Sequence, residues 1–198
     1  SGQLSATSSE GILQWFSSLT GVPLYTGNIF TTPEVSETTT FYVRTGIVLP
    51  NQNVQLGNGT SSSADSGASP YYYSYGGYKH QYIFTAQELM EAGFSAGPIN
   101  SIGFDVVTGS SANRNNFTIY VGTTTQNTAT STHIAGLVEK YANASQPISV
   151  GLNTYNFTTP FDWDGTSNLV IQINWSNNDY GSWEDVSSVR YHTTSVAR

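Results

Sequence analysis

The chain has 198 residues, a formal net charge of −7 and only 10% charged side chains, with 37% hydrophobic and 13% aromatic residues, enough apolar surface for a packed core and too little charge for a disordered polymer. Its six cations (Arg44, Lys79, Arg114, Lys140, Arg190 and Arg198) are scattered, which argues against nucleic acid and anionic membrane as partners. Cysteine is absent, so no disulfide framework is expected, and no apolar run approaches the roughly 18 residues of a membrane span.

Polarity comes from Ser, Thr, Asn, Gln and Gly, the make-up of an extracellular β-protein with Thr on its strands and Asn and Gly in its turns. The opening SGQLSATSSEG reads as the middle of a strand pattern, so the chain is expected to be a piece of a longer protein. ILQWF (12–16) and TFYVR (40–44) are strand-like and bracket a turn-rich middle with Thr20-Gly21, Gly27-Asn28 and Pro33. GNGTSSSADSGAS (57–69) reads as a loop or linker. Thr85-Ala-Gln-Glu88 is a capping box, and QELMEA runs to Gly93, which predicts one helix of about two turns. Beyond residue 99 the alternation is clean. Ile102, Phe104 and Val106, then Phe117, Ile119 and Val121, then Leu169, Ile171, Ile173 and Trp175 each mark one apolar face of a half-buried antiparallel strand.

Two stretches resemble known families. SEGILQWFSSLTGVPLYTGNIFTTPEVSETTTFYV (9–43) resembles the Ig-like domain repeated in large secreted proteins of gliding Bacteroidetes, lacking its first strand or so. YKHQYIFTAQELMEAGFSAGPINSIGFDV (78–106), NNFTIYVGTTT (115–125) and FDWDGTSNLVIQINW (161–175) resemble a jelly-roll-like module that recurs beside Ig-like and fibronectin-type domains in type IX-secreted surface proteins. The resemblance implies an adhesin-like or gliding-motility architecture, or an accessory part of a polysaccharide-degrading protein, and brings no catalytic residues. The expected fold is all-β: a partial Ig-like sandwich over 1–45, then a jelly-roll-type β-sandwich over 46–198 with one short helix. The short link Thr45–Pro50 would restrict motion between them.

Candidate chemistry is sparse. GFSAG (93–97) matches the G-x-S-x-G nucleophile elbow, which needs a strand before Ser95 and a helix after it, whereas here the helix comes first and a strand follows. His80, His133 and His192 are isolated and lack zinc-ligand spacing. His80 reads either as a strand-edge histidine bonded to backbone or as a polar contact in a groove. Glycoside hydrolysis needs two opposed carboxylates, and nothing selects a pair. DWDG and NNDYGSWED place Asp162, Asp164, Asp179 and Asp185 where loops could ligate calcium, although DWDG is also an ordinary Asp-Gly turn. No cofactor is expected beyond that structural calcium. Asn58, Asn116, Asn143, Asn156 and Asn174 sit in Asn-x-Ser/Thr triplets, which matter only in a glycosylating eukaryotic source.

The tyrosine run SPYYYSYGGY (69–78) poses the main question. Tyr71, Tyr73 and Tyr75, with Tyr180 and Trp183, could form aromatic faces that stack on sugars. They could equally cover the edge of a core. Tyr78 and Tyr82 are expected to be structural. The expected function is a non-catalytic module of a secreted or surface-anchored bacterial protein, in adhesion or as a stalk repeat. The alternative is a carbohydrate-binding module that targets polysaccharide. Surface glycans and neighbouring domains of the same chain are the expected partners.

Overall fold

The computed structural model describes residues 1–9, 12–18, 23–46, 53–57, 59, 61–64, 69–73, 76–177 and 187–191. The chain divides into two compact units, Ser1–Asn53 and Val54–Arg198. The link at 47–52 lies outside the described residues.

The first unit holds β1 (Gln3–Ser5), β2 (Ile12–Phe16), β3 (Tyr25–Thr26), β4 (Ile29–Thr31) and β5 (Tyr42–Gly46). β1 pairs with β4, and β3-β2-β5 form a second antiparallel sheet. Its small core centres on Phe30, whose ring stacks on Trp15 at 5.5 Å and meets Phe41 edge-on at 5.3 Å. The Trp15 indole N–H donates to the Gly27 carbonyl at 2.8 Å, so the ring is buried without stranding its polar atom.

The second unit is a β-sandwich. Its strands are β6 (Ser61–Ser63), β7 (Gly77–Phe84), β8 (Gly97–Thr108), β9 (Arg114–Thr124), β10 (Val138–Gln146), β11 (Gly151–Trp163), β12 (Asn168–Ser176) and β13 (Ser188–Tyr191). They form two four-stranded sheets, ordered β10-β9-β12-β7 and β11-β8-β13-β6. Pairing the first strand with the last, and the second with the seventh, is jelly-roll topology. The alternation seen in the sequence explains the packing. Phe117, Ile119 and Val121 of β9 and Leu169, Ile171, Ile173 and Trp175 of β12 face Val106 of β8, Tyr155 of β11 and Val189 of β13, all in one buried cluster.

The helix forms as the capping box demands. α1 (Ala86–Glu91) has Thr85 as N-cap, its hydroxyl accepting from the Glu88 amide while the Glu88 carboxylate accepts from the Thr85 amide at 2.9 Å. Gly93, at φ +98°, ends it in a backbone conformation that a side chain would strain. Ser95 therefore sits between a helix and the strand that follows, the reverse of a nucleophile elbow.

One strand departs from expectation. β12 is buried on both faces, not half-buried: Val170 and Gln172 are buried, as are Ile171 and Ile173. The reason is the segment 125–137 between β9 and β10, which lies against the outer face of this sheet. Gln81 of β7 clamps it through Ile134, and Asn168 of β12 donates to the Gln126 carbonyl and to Asn127 Oδ1. Leu137 approaches β9 so closely that a Cβ on Gly122 would stand 2.5 Å from its Cδ2.

Candidate functional site

Segment 69–73 carries Tyr71, Tyr72 and Tyr73 of the tyrosine run. It forms a turn, not a strand, and it closes onto the sandwich from within. Ser69 Oγ donates to the Ser187 carbonyl at 2.6 Å, and the Trp175 indole N–H donates to the Pro70 carbonyl at 3.1 Å. The Tyr71 and Tyr155 hydroxyls share a hydrogen bond of 2.7 Å. The Tyr73 hydroxyl accepts from Asn177 Nδ2 at 2.7 Å.

A cation holds the segment in place. Arg114, at the start of β9, is fully enclosed at 0% exposure. Its Nε and one terminal nitrogen donate to the Tyr71 carbonyl at 3.0 and 2.7 Å, and the other terminal nitrogen donates to the Ala112 carbonyl at 2.6 Å and to Ser110 Oγ at 3.2 Å. The guanidinium carbon lies 4.5 Å from the Tyr73 ring centroid and 5.1 Å from that of Trp175. Carbonyl dipoles and ring quadrupoles thus replace the hydration that burial strips away.

Tyr71 is 0% exposed and Tyr73 only 4%. The platform reading is corrected for these two: an enclosed ring offers no face to a sugar. Burial, chiefly, and the neighbouring Tyr155 push the Tyr71 phenol well above its usual range, and burial likewise raises Tyr155. Tyr72 is half-buried with its ring 6.4 Å from that of Tyr78, and Tyr78 and Tyr82 pack against the core. Burial raises the Tyr78 phenol to about 12. Tyr75, Tyr180 and Trp183 lie outside the described residues, as do Asp179 and Asp185.

His80 lies on the inward row of β7, between Tyr78 and Tyr82. Its ring is parallel to Tyr78 within 6° at 5.5 Å and lies 4.7 Å from Tyr82. Burial, and then the nearby His133, lower its pKa below the ordinary imidazole value. Both histidines line a small cleft between the edge strand β7 and the segment 125–137.

Of the calcium candidates, Asp162 is exposed on β11 opposite Pro98. Asp164 has left the strand. Its Oδ1 accepts from the Thr166 and Ser167 amides, each at 2.7 Å, making an Asx turn. Hydrogen bonds from Ser167, then Thr166, hold its carboxyl down to about 2. Asp164 therefore has a structural task in the turn, and the two carboxylates do not share a strand face. Among the described residues no group of three or more His, Asp or Glu side chains is placed to hold a metal ion.

Two features escaped the sequence reading. Arg114 looked like one more scattered cation, and nothing local marks it as enclosed. His133 carries no signal either, because His80, which lines the same cleft, is far along the chain. The inward position of His80 could have been read from its i±2 spacing to Tyr78 and Tyr82. The chain matches no protein-family model, and neither the curated proteins nor the solved structures contain a significant match to it.

Proposed function

We propose that this chain is a non-catalytic β-sandwich module of a larger secreted or surface-anchored protein, with a structural or adhesive role. The observation that carries this reading is the use made of the tyrosine run: Tyr71 and Tyr73 are spent on closing the core, where Arg114 locks them. Tyr71 and Tyr73, two of the side chains that a lectin-like module would present, are turned inward. The low charge and the Ser/Thr/Asn-rich strands suit an extracellular setting, and no helix among the described residues is long and apolar enough to cross a membrane.

The test is affinity electrophoresis and array binding of the purified chain against a broad glycan and polysaccharide panel, once with calcium and once with EDTA. The expected outcome is no retention in either condition. Retention that disappears in Tyr75→Ala or Trp183→Ala would replace this reading with that of a carbohydrate-binding module. Retention lost only in EDTA would add a calcium requirement to that replacement.

A further inference from the structure

The two sheets of the sandwich treat their outer faces differently. Segment 125–137 lies on one of them. On the other, formed by β11-β8-β13-β6, four outward side chains make a row across the strands: Leu152, Asp105, Arg190 and Ser62. All four are exposed. The inward faces of the first three strands hold Tyr155, Val106 and Val189 in the core.

The core does not use the apolar end of this row. Val150 and Leu152 are the two most exposed large apolar side chains among the described residues, at 69% and 68%. Gly103 gives Leu152 a flat bed: a Cβ there would stand 3.0 Å from Leu152 Cδ1. Two aliphatic side chains held in water on a rigid sheet favour a surface that covers them.

Charge says what that surface is. The chain carries −7 overall, so two copies repel on average. Around Leu152 the repulsion is absent. Arg190 Nε lies 2.8 Å from Asp105 Oδ2, and both side chains are about half-exposed. Their charges cancel, and Thr154, Asn156 and Ser62 on the same face are neutral. A cation and an anion side by side are also complementary to their own copy after a half-turn. A twofold axis running along the strands between β8 and β13 sets Asp105 opposite the second copy's Arg190, and Arg190 opposite its Asp105. The same rotation lays Leu152 over the small serines of the second copy's β6.

We propose that this outer face pairs with the same face of a second copy of the chain, joining two sandwiches back to back. Val150 and Leu152 supply the apolar contact, and the Asp105–Arg190 pair fixes the orientation. This goes beyond the module reading above: it needs no ligand, and it makes the partner another copy of the chain itself.

The experiment is sedimentation equilibrium of the whole chain, with light scattering as a second measure of mass, from about 1 µM to about 1 mM. The mass should rise from one chain to two across that range. Leu152→Asp should raise the dissociation constant by at least about 10-fold, and so should Asp105→Arg and Arg190→Asp, which set like charges against each other. Mixing these last two variants is the decisive arm. One then presents two arginines and the other two aspartates, so the mixture should associate where neither does alone, although the pair within each chain is still broken. Lys79→Ala, on β7 of the other sheet, should leave the curve unchanged. The substituted side chains are exposed, and equal urea midpoints check that the fold is kept. A mass of one chain at every concentration overturns the proposal. So does association that survives Leu152→Asp, or a mixture that stays monomeric. Glycan retention lost in Leu152→Asp would give the face to another ligand and overturn it too. Self-association and glycan retention are separate readouts, so the two readings fail independently.

Discussion

Two stretches outside the strands cover the sandwich, and they do it in opposite ways. Segment 69–73 sends rings inward and is locked by an enclosed arginine. Segment 125–137 lies on the outer face of a sheet, is locked by amide side chains, and leaves a cleft. The difference shows what decides whether a covering segment can also bind. An apolar cover fills its own space, because rings pack to crystal density and leave no room. A polar cover must satisfy directional bonds, and hydrogen-bond geometry keeps groups apart where packing alone would close them. Aromatic richness therefore marks core here, and a stretch of Thr, Gln and His marks the available concavity.

That contrast can be broken by substitution. The largest effect is expected for Tyr71→Ala, which empties a fully enclosed site and strands the Tyr155 hydroxyl. The loss should be about 3–5 kcal/mol, read from urea unfolding midpoints. A loss below about 1 kcal/mol would mean that segment 69–73 does not belong to the core. Gln81→Ala should cost less, about 1–3 kcal/mol, because it leaves a half-buried backbone pair on Ile134 without its partner. Its signature is local: faster hydrogen exchange at the Ile134 amide, with protection of β9 and β12 kept. Uniform loss of protection would show that the cover and the sheet open together.

The smallest effect is on pH dependence. The His80 pKa is lowered in the folded chain, so the folded state resists a proton that the unfolded state accepts. Its contribution is complete above about 6.5, the unfolded value, and is lost as pH falls from there through the folded value. Stability measured between pH 7.5 and 5 should fall slightly in the wild type, and that slope should shrink in His80→Gln. An unchanged slope would mean that water reaches the ring freely.

Much of the fold was legible because it is written locally. ILQWF is strand-like and forms β2, the capping box spans four residues, and the inward rows of β9 and β12 repeat every second residue. The tyrosines misled because nothing in the run itself shows that it forms a turn whose position is set by Arg114 and Trp175, well over thirty residues away. The same cause hid the second buried face of β12, whose cover comes from a segment that has no period of its own. The cleft was illegible for the plainest reason: its lining residues come together only after β7 has found β12 and segment 125–137 has folded back across both.

The pairing of β6 with β13, and the bond from Ser69 to Ser187, have a consequence for how the chain becomes itself. The jelly roll joins its first strand to its last. During vectorial synthesis or export, the early strands emerge with no partner for β6, and Tyr71 and Tyr73 stay wet until β9, β12 and β13 have followed. Order is thus withheld until nearly the whole second unit is out, a topology that folds slowly and all at once. If the chain is exported, as proposed, late closure would keep it threadable, and it would leave a run of exposed tyrosines for a chaperone to hold on the way.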